Sequence, residues 1–163
     1  MTGAAAGDPE EGTGAPSGPS DPAGPFVGLA ALLALGLVLR IIIVNALPGS
    51  GFGVDLDAFR YWAANLAAEG PFGFYERGFF ADYTPGYLYL LWLVGAVGRA
   101  IGGIGDLIKL PSIAADLGVA WLVHAMAREL GATPRRALGA AAAVLLLPVS
   151  WFDSAVWGQV DAI

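Results

Sequence analysis

Long apolar blocks separated by short polar stretches dominate this chain, and the blocks set its elements. The first runs from Phe26 to Leu47, 22 residues with Arg40 as the only charge. As a helix it extends roughly 33 Å, enough to cross a bilayer. Arg40 lies in its second half, where a long side chain can snorkel toward the nearer interface. Pro48-Gly49-Ser50-Gly51 ends the block. Residues 48–84 are too polar to span, since they carry Asp55, Asp57, Arg60, Glu69, Glu76, Arg77 and Asp82. Within them Phe59, Trp62, Ala63 and Leu66 follow i, i+3, i+4, i+7 spacing, which predicts an amphipathic helix over 58–68 closed by Gly70-Pro71.

Thr84-Pro85 supplies an N-cap and a first-turn proline for a short apolar helix, Gly86 to about Ala100. Leu110 to Ala127 is an apolar run of 18 interrupted by Asp116 and His124, with Gly131 placed to cap it. Thr133-Pro134 opens a last helix, Ala137 to about Phe152, which reaches Trp157 if Asp153 is tolerated.

Composition turns these blocks into a class. Apolar residues make up 56%, charged residues 13%, and the mean hydropathy is +0.65. Soluble domains carry about 25% charged residues, so a soluble fold this poor in charge would lack cover for its surface. The chain is therefore expected to be an all-α integral membrane protein. Eight Lys+Arg against fourteen Asp+Glu give −6, which argues against a nucleic-acid partner held by phosphate neutralisation. The absence of cysteine excludes disulfides, thiolate chemistry and Cys-ligated zinc. Residues 1–25 read as a disordered acidic tail rich in Pro and Gly, with Asp8, Glu10, Glu11 and Asp21 and no base. Without a basic n-region they do not form a secretory signal, so the first apolar segment is retained. Seven of the eight basic residues are Arg, which with abundant Ala and Gly points to a GC-rich bacterial genome. The corresponding location is a multi-pass protein of the bacterial plasma membrane.

Topology decides which residues can meet. Thirteen of the eighteen aromatics fall between Phe52 and Trp92, as expected of a segment lying at the membrane–water boundary. If 86–100 crosses the membrane there are four spans, and Arg128, Arg135 and Arg136 share a side with the 48–84 loop. If 86–100 lies in the surface there are three, and this arginine cluster is cytoplasmic, as the positive-inside bias prefers. Three spans also bring residues 153–163 to the same outer face as Asp55 and Asp57. Arg99 and Lys109 on that outer face count against it. The three-span arrangement is favoured.

Asp55-Leu56-Asp57 is the sharpest candidate for chemistry. Two carboxylates at i and i+2 ahead of a helix can chelate a divalent cation, or one can act as a general base beside the other. The plainer alternative is that Asp57 only N-caps the 58–68 helix while Asp55 is solvated. Asp82-Tyr83-Thr84-Pro85-Gly86-Tyr87 reads first as a turn with interfacial aromatics. Asp116 is costly inside an apolar run, and pairing with Arg40 would make it structural. Trp157-Gly158-Gln159-Val160-Asp161 places amide and carboxylate groups at the mouth of a membrane helix.

In order and spacing, these stretches resemble the N-terminal module of the GT-C class of integral-membrane glycosyltransferases. The resemblance runs through Asp55 to Trp62, the 82–87 turn, Lys109-Leu110-Pro111 to Asp116, and Trp157 to Asp161. It covers about residues 26–163 and is nearest the bacterial mannosyltransferase-like branch, related to protein mannosyltransferases and lipid-linked-oligosaccharide glucosyltransferases. Thr84 departs from the family's pattern, which usually has the first proline of a Pro-Pro pair there; a capping Thr is expected to leave the turn intact. The resemblance implies a first loop that is external and holds surface-lying helices, and it makes this chain the N-terminal piece of a longer enzyme. It implies inverting transfer of a mannose-like hexose from a polyprenyl-phosphate donor to an external acceptor. Asp55 corresponds to the presumed catalytic base. Asp57 corresponds to the second acid, and Gln159 and Asp161 to the second outer loop approaching the same site. Asp82 and Tyr83, in the 82–87 turn, join the substrate-binding candidates, with Arg60 as a phosphate partner. Family members differ in their need for a divalent metal, which stays open, and membrane lipids are the remaining partner. The rival readings are a small transporter or channel subunit, with Arg40, Asp116 and His124 forming an ion path, and a non-catalytic membrane fragment.

Overall fold

The computed structural model describes residues 24–159. Their helices are α1 (Gly24–Ala46), α2 (Gly53–Glu69), α3 (Pro85–Ile101), α4 (Leu110–Glu129), α5 (Pro134–Leu146) and α6 (Pro148–Trp151). Short 3₁₀ turns occupy Phe74–Glu76 and Gly105–Lys109, and α6 runs on as a π-helical turn over Phe152–Trp157. No strand occurs among the described residues. The expected disordered tail falls almost wholly outside them; its last two residues, Gly24 and Pro25, already belong to α1.

Two helical stretches, Val27–Ala46 and Gly105–Glu129, are long and apolar enough to cross a membrane. The bent pair Pro134–Leu146 and Pro148–Trp157 makes a third if it forms one span, while Pro85–Ile101 is shorter. α1, α4 and α5 pack together with the α6 segment and its π turn. Much of this bundle's apolar surface faces outward: Leu35, Val38, Ile42, Trp121, Leu122 and Met126 are all exposed.

α2 and α3 form a second unit, packed chiefly on each other and on the Gly105–Lys109 turn. The predicted stripe is the buried one: Phe59, Trp62, Ala63 and Leu66 join Leu56, Phe74, Tyr87, Leu88, Leu91 and Val94 in one core. Phe59 meets Tyr83 and Tyr87 edge-on at 5.1 and 5.4 Å. Burying each of these large side chains contributes roughly 1.5–3 kcal/mol, so this unit holds itself together.

Two helix boundaries differ from expectation. α2 begins at Gly53 rather than near residue 58, because Leu56 is fully buried and its burial draws the preceding turn into the helix. Asp55 therefore lies in the first turn, where a carboxylate complements the helix dipole, and Asp57 is inside the helix rather than its cap. The last helix is broken at Leu147-Pro148 and bends by 47°. Proline has no N–H to give the preceding turn, and its ring clashes with the carbonyl four residues back. Thr84 starts α3 as expected but makes no capping bond through its side chain, whereas Thr133 accepts one from the Arg136 N–H. Gly131, in the left-handed region (φ 84°), ends α4 as its placement suggested.

Candidate functional site

One end of the bundle gathers three stretches far apart in sequence: 47–55, 105–110 and 157–159. Gly49 N–H donates to Asp106 Oδ2 at 3.0 Å, and Lys109 Nζ donates to Ser50 Oγ at 3.0 Å. Phe52 stacks almost parallel on Trp157, with ring centroids 6.0 Å apart. At the other end, Gly28 of α1 approaches Leu138 of α5.

Close approach at the first end depends on two glycines. A Cβ on Gly51 would lie 2.5 Å from the Trp157 carbonyl oxygen, and one on Gly158 would lie 2.6 Å from Leu56 Cδ2. Both residues also have positive φ, 125° and 79°, so any side chain there would be strained as well as crowded. The seal they permit places Gln159 Nε2 2.6 Å from Asp55 Oδ2, a hydrogen bond across 104 residues of sequence. The acid and the amide singled out from separate motifs are thus joined. Asp161 lies outside the described residues.

Arg60 is fastened rather than free. Its Nη1 donates to Asp57 Oδ1 at 2.9 Å, its Nε donates to the Gly105 carbonyl at 3.2 Å, and its Nη2 lies 3.8 Å from Asp106 Oδ1. Lys109 is fully buried and 3.5 Å from the same Asp106 oxygen. Asp106 therefore ties α2, the loop after α1 and the turn before α4 into one polar cluster. Sequence reasoning missed it, although its i, i+3 spacing to Lys109 was a readable signal.

Asp55 and Asp57 do not converge on one ion. Two residues apart on a helix they point about 200° apart around its axis, and each already has its own partner. Among the described residues no group of three or more His, Asp or Glu side chains comes together as a metal site would. Asp82 is exposed, and no hydrogen bond or ion pair joins it to Asp55 or Gln159. Tyr83 belongs to the α2–α3 core, its ring against Phe59, Trp62 and Tyr87 and its carbonyl accepting from Tyr75 Oη at 2.6 Å. Beside it the Tyr87 hydroxyl is buried without a hydrogen-bond partner, and burial, with Tyr83 nearby, pushes its pKa above the ordinary tyrosine range.

An apolar cleft of about 260 Å³ opens between α3 and the start of α4, lined by Leu90, Leu93, Val94, Val97, Leu107, Leu110, Pro111 and Ala114. Leu107 and Leu110 flank Asp106 and Lys109, so the cleft begins beside the polar cluster.

Deeper in the bundle Arg40 does not snorkel. It is fully buried, with Nε and Nη2 at 2.9 and 2.8 Å from Asp116 Oδ2. Its remaining bonds go to the carbonyls of Gly36 and Leu145 and the hydroxyls of Ser150 and Ser154. The expected Arg40–Asp116 pair is present. Comparison with known protein families, curated proteins and solved structures finds no match to this chain.

Proposed function

We propose that this chain forms the N-terminal part of a GT-C-type membrane glycosyltransferase that moves a hexose from a polyprenyl-phosphate donor to an acceptor at the outer membrane face. The observation that carries the reading is the 2.6 Å hydrogen bond between Gln159 and Asp55. It couples two of the motifs on which the resemblance rests, at the bundle end where α1 finishes and α4 begins. In this reading α1, α4 and the bent α5–α6 pair are three crossings of a bacterial plasma membrane, and α2 and α3 lie along its outer surface.

The chemistry follows from the arrangement. The Gln159 amide holds one oxygen of Asp55, leaving the other to accept the proton of an acceptor hydroxyl as its oxygen attacks the anomeric carbon. The C–O bond to the lipid phosphate breaks, the phosphate leaves with the bonding pair, and configuration inverts. Arg60, fastened to Asp57 and to the Gly105 carbonyl beside the buried Lys109, is the phosphate partner in this reading. The apolar cleft beside them suits the lipid portion of such a donor, a pairing of polar head site and apolar wall that an amphiphile requires.

The transporter alternative drew on Arg40, Asp116 and His124. Arg40 and Asp116 are bonded to each other, and Arg40 also to two carbonyls and two hydroxyls, which counts against those two of the three as a path for ions. The test is Asp55→Asn in the protein expressed from its complete reading frame, assayed with polyprenyl-phosphate hexose. A general base contributes roughly 10²–10⁴-fold, so transfer should fall by that much with expression and donor binding retained. Near-normal transfer by Asp55→Asn removes Asp55 from the mechanism.

A further inference from the structure

The break at Leu147-Pro148 leaves backbone groups that need partners inside an apolar bundle. The last carbonyls of α5, which ends at Leu146, have no continuing α-helix to bond them, and such orphans are costly away from water. Arg40 meets that need: its Nη2 donates to the Leu145 carbonyl at 3.1 Å. The same guanidinium donates across the break to Ser150 Oγ at 2.9 Å and to Ser154 Oγ at 3.2 Å. Asp116 of α4 accepts from the same Nε and Nη2. One fully buried side chain of α1 thus holds the last turn of α5, the segment beyond the bend, and α4 at once.

What lies beyond Ser154 gives this hub its reach. Ser154 sits in the π-helical turn Phe152–Trp157, whose wider ring carries one more residue per hydrogen bond than an α turn and so rotates everything after it. Gly158 and Gln159 close that turn by donating to the Asp153 carbonyl at 2.8 and 3.2 Å. The amide that meets Asp55 lies five positions after the serine that Arg40 holds. If the turn relaxed to α-helical register, Gln159 would swing by about 100° around the axis and leave the carboxylate.

We propose that Arg40 is a positioning residue: its bonds across the Leu147-Pro148 break set the register of the π turn and so place Gln159 on Asp55. The relevance of that placement rests on the function proposed above, but its test reads geometry rather than transfer. These 163 residues hold no cysteine, and with any cysteine elsewhere in the full-length protein first changed to serine, pairs can be introduced one at a time. Asp55→Cys with Gln159→Cys reports the site end, and Gly28→Cys with Leu138→Cys, where a Cβ on Gly28 lies 3.4 Å from the Leu138 side chain, reports the opposite end. Both pairs are treated with a short bifunctional thiol linker in membranes carrying the full-length protein. Against this parent stand Arg40→Lys, which keeps the charge but cannot fork to every acceptor, and Ser150→Ala with Ser154→Ala, which leaves the Arg40–Asp116 pair intact.

Loss of hydrogen bonds to a charged group shifts a local equilibrium by about tenfold or more, so both variants should cross-link 55 to 159 at least about tenfold more slowly. The 28–138 pair should react at the parent rate. Cross-linking of 55 to 159 at the parent rate in the serine variant overturns the inference. Loss of both pairs in that variant overturns it too, since the network would then support the whole bundle rather than the turn. Failure of the parent itself to link 55 to 159, with 28–138 intact, strikes instead at the Asp55–Gln159 site, and the inference falls with it.

Discussion

Replacing Gly95 by alanine tests whether α2 and α3 are held at backbone contact. A Cβ at Gly95 would overlap the Ala63 carbonyl oxygen, lying 2.7 Å from its carbon and 3.0 Å from Ala67 Cβ. The obstacle is helix backbone, which cannot rotate aside, so the two helices must move apart and loosen the packing around Trp62, Leu66 and Leu91. Overpacking of this kind costs about 1–3 kcal/mol. Alanine recovers about 0.8–1.0 kcal/mol over glycine through helix propensity. With an unyielding neighbour the upper end of the cost applies, and the net loss is about 2 kcal/mol. For a chain of this size that lowers Tm by about 4–8 °C. Gly118→Ala in α4 is the matched control, because no atom lies within 4 Å of its added Cβ. It should raise Tm by a few degrees through the same propensity term. Gly36→Ala falls between them, since only the movable Leu145 side chain stands in its way. Tryptophan-fluorescence melting in detergent reads all three, with Trp62 buried in the affected core. A rise in Tm for Gly95→Ala equal to that of Gly118→Ala would refute the close-contact argument.

Five further outcomes are expected. Cysteines at Ser50 and Ala81 should react with an impermeant thiol reagent in intact cells, and one at Thr133 should not; the reverse pattern would invert the topology. Asp57→Asn should leave transfer and stability nearly unchanged, since its pair with Arg60 is exposed and worth about 0–1 kcal/mol; a loss as deep as that of Asp55→Asn would put both acids in the reaction. Tyr87→Phe should stabilise the protein by about 1–3 kcal/mol by removing a buried hydroxyl that has no partner. Because folding raises the Tyr87 pKa, native stability should fall as pH rises past about 10, where the unfolded tyrosine ionises, and a melting series from pH 8 to 11 should show Tyr87→Phe losing part of that decline. The 163-residue chain by itself should not turn over polyprenyl-phosphate hexose, whereas the complete reading frame should; a radiolabelled-donor assay on both decides.

Much of the helical layout was legible because bilayer-length apolar runs and period-3.6 stripes are strong local signals. The Phe59–Leu66 stripe, the Gly70 and Gly131 stops and the Arg40–Asp116 pairing all follow from such patterns. The early start of α2 did not, because Leu56 is buried by Gly51 and Gly158, the latter a hundred residues away in sequence. The break at Pro148 was passed over although proline itself announces it, since the apolar run continues on both sides. At the candidate site, Asp55 and Gln159 were each named from sequence, yet their contact depends on a π turn that no periodicity encodes. Asp106 escaped notice because a single acid in a glycine-rich turn looks like solvated punctuation until Gly49, Arg60 and Lys109 converge on it.

The buried arginine also sets a timetable for biogenesis. Its carboxylate partner lies 76 residues later in the chain. At roughly 5–20 residues per second, α1 waits about 4–15 s after its own synthesis before α4 delivers Asp116. If α1 is a membrane crossing, an unpaired Arg40 in its second half opposes insertion through that interval by up to about 2.5–3.5 kcal/mol, which the leucines, isoleucines and valines of α1 must outweigh unaided. Polar substitutions on the lipid-facing side of α1, harmless to the finished bundle, would then act on the ribosome-bound chain, lowering the yield of inserted protein while leaving the stability of surviving molecules unchanged.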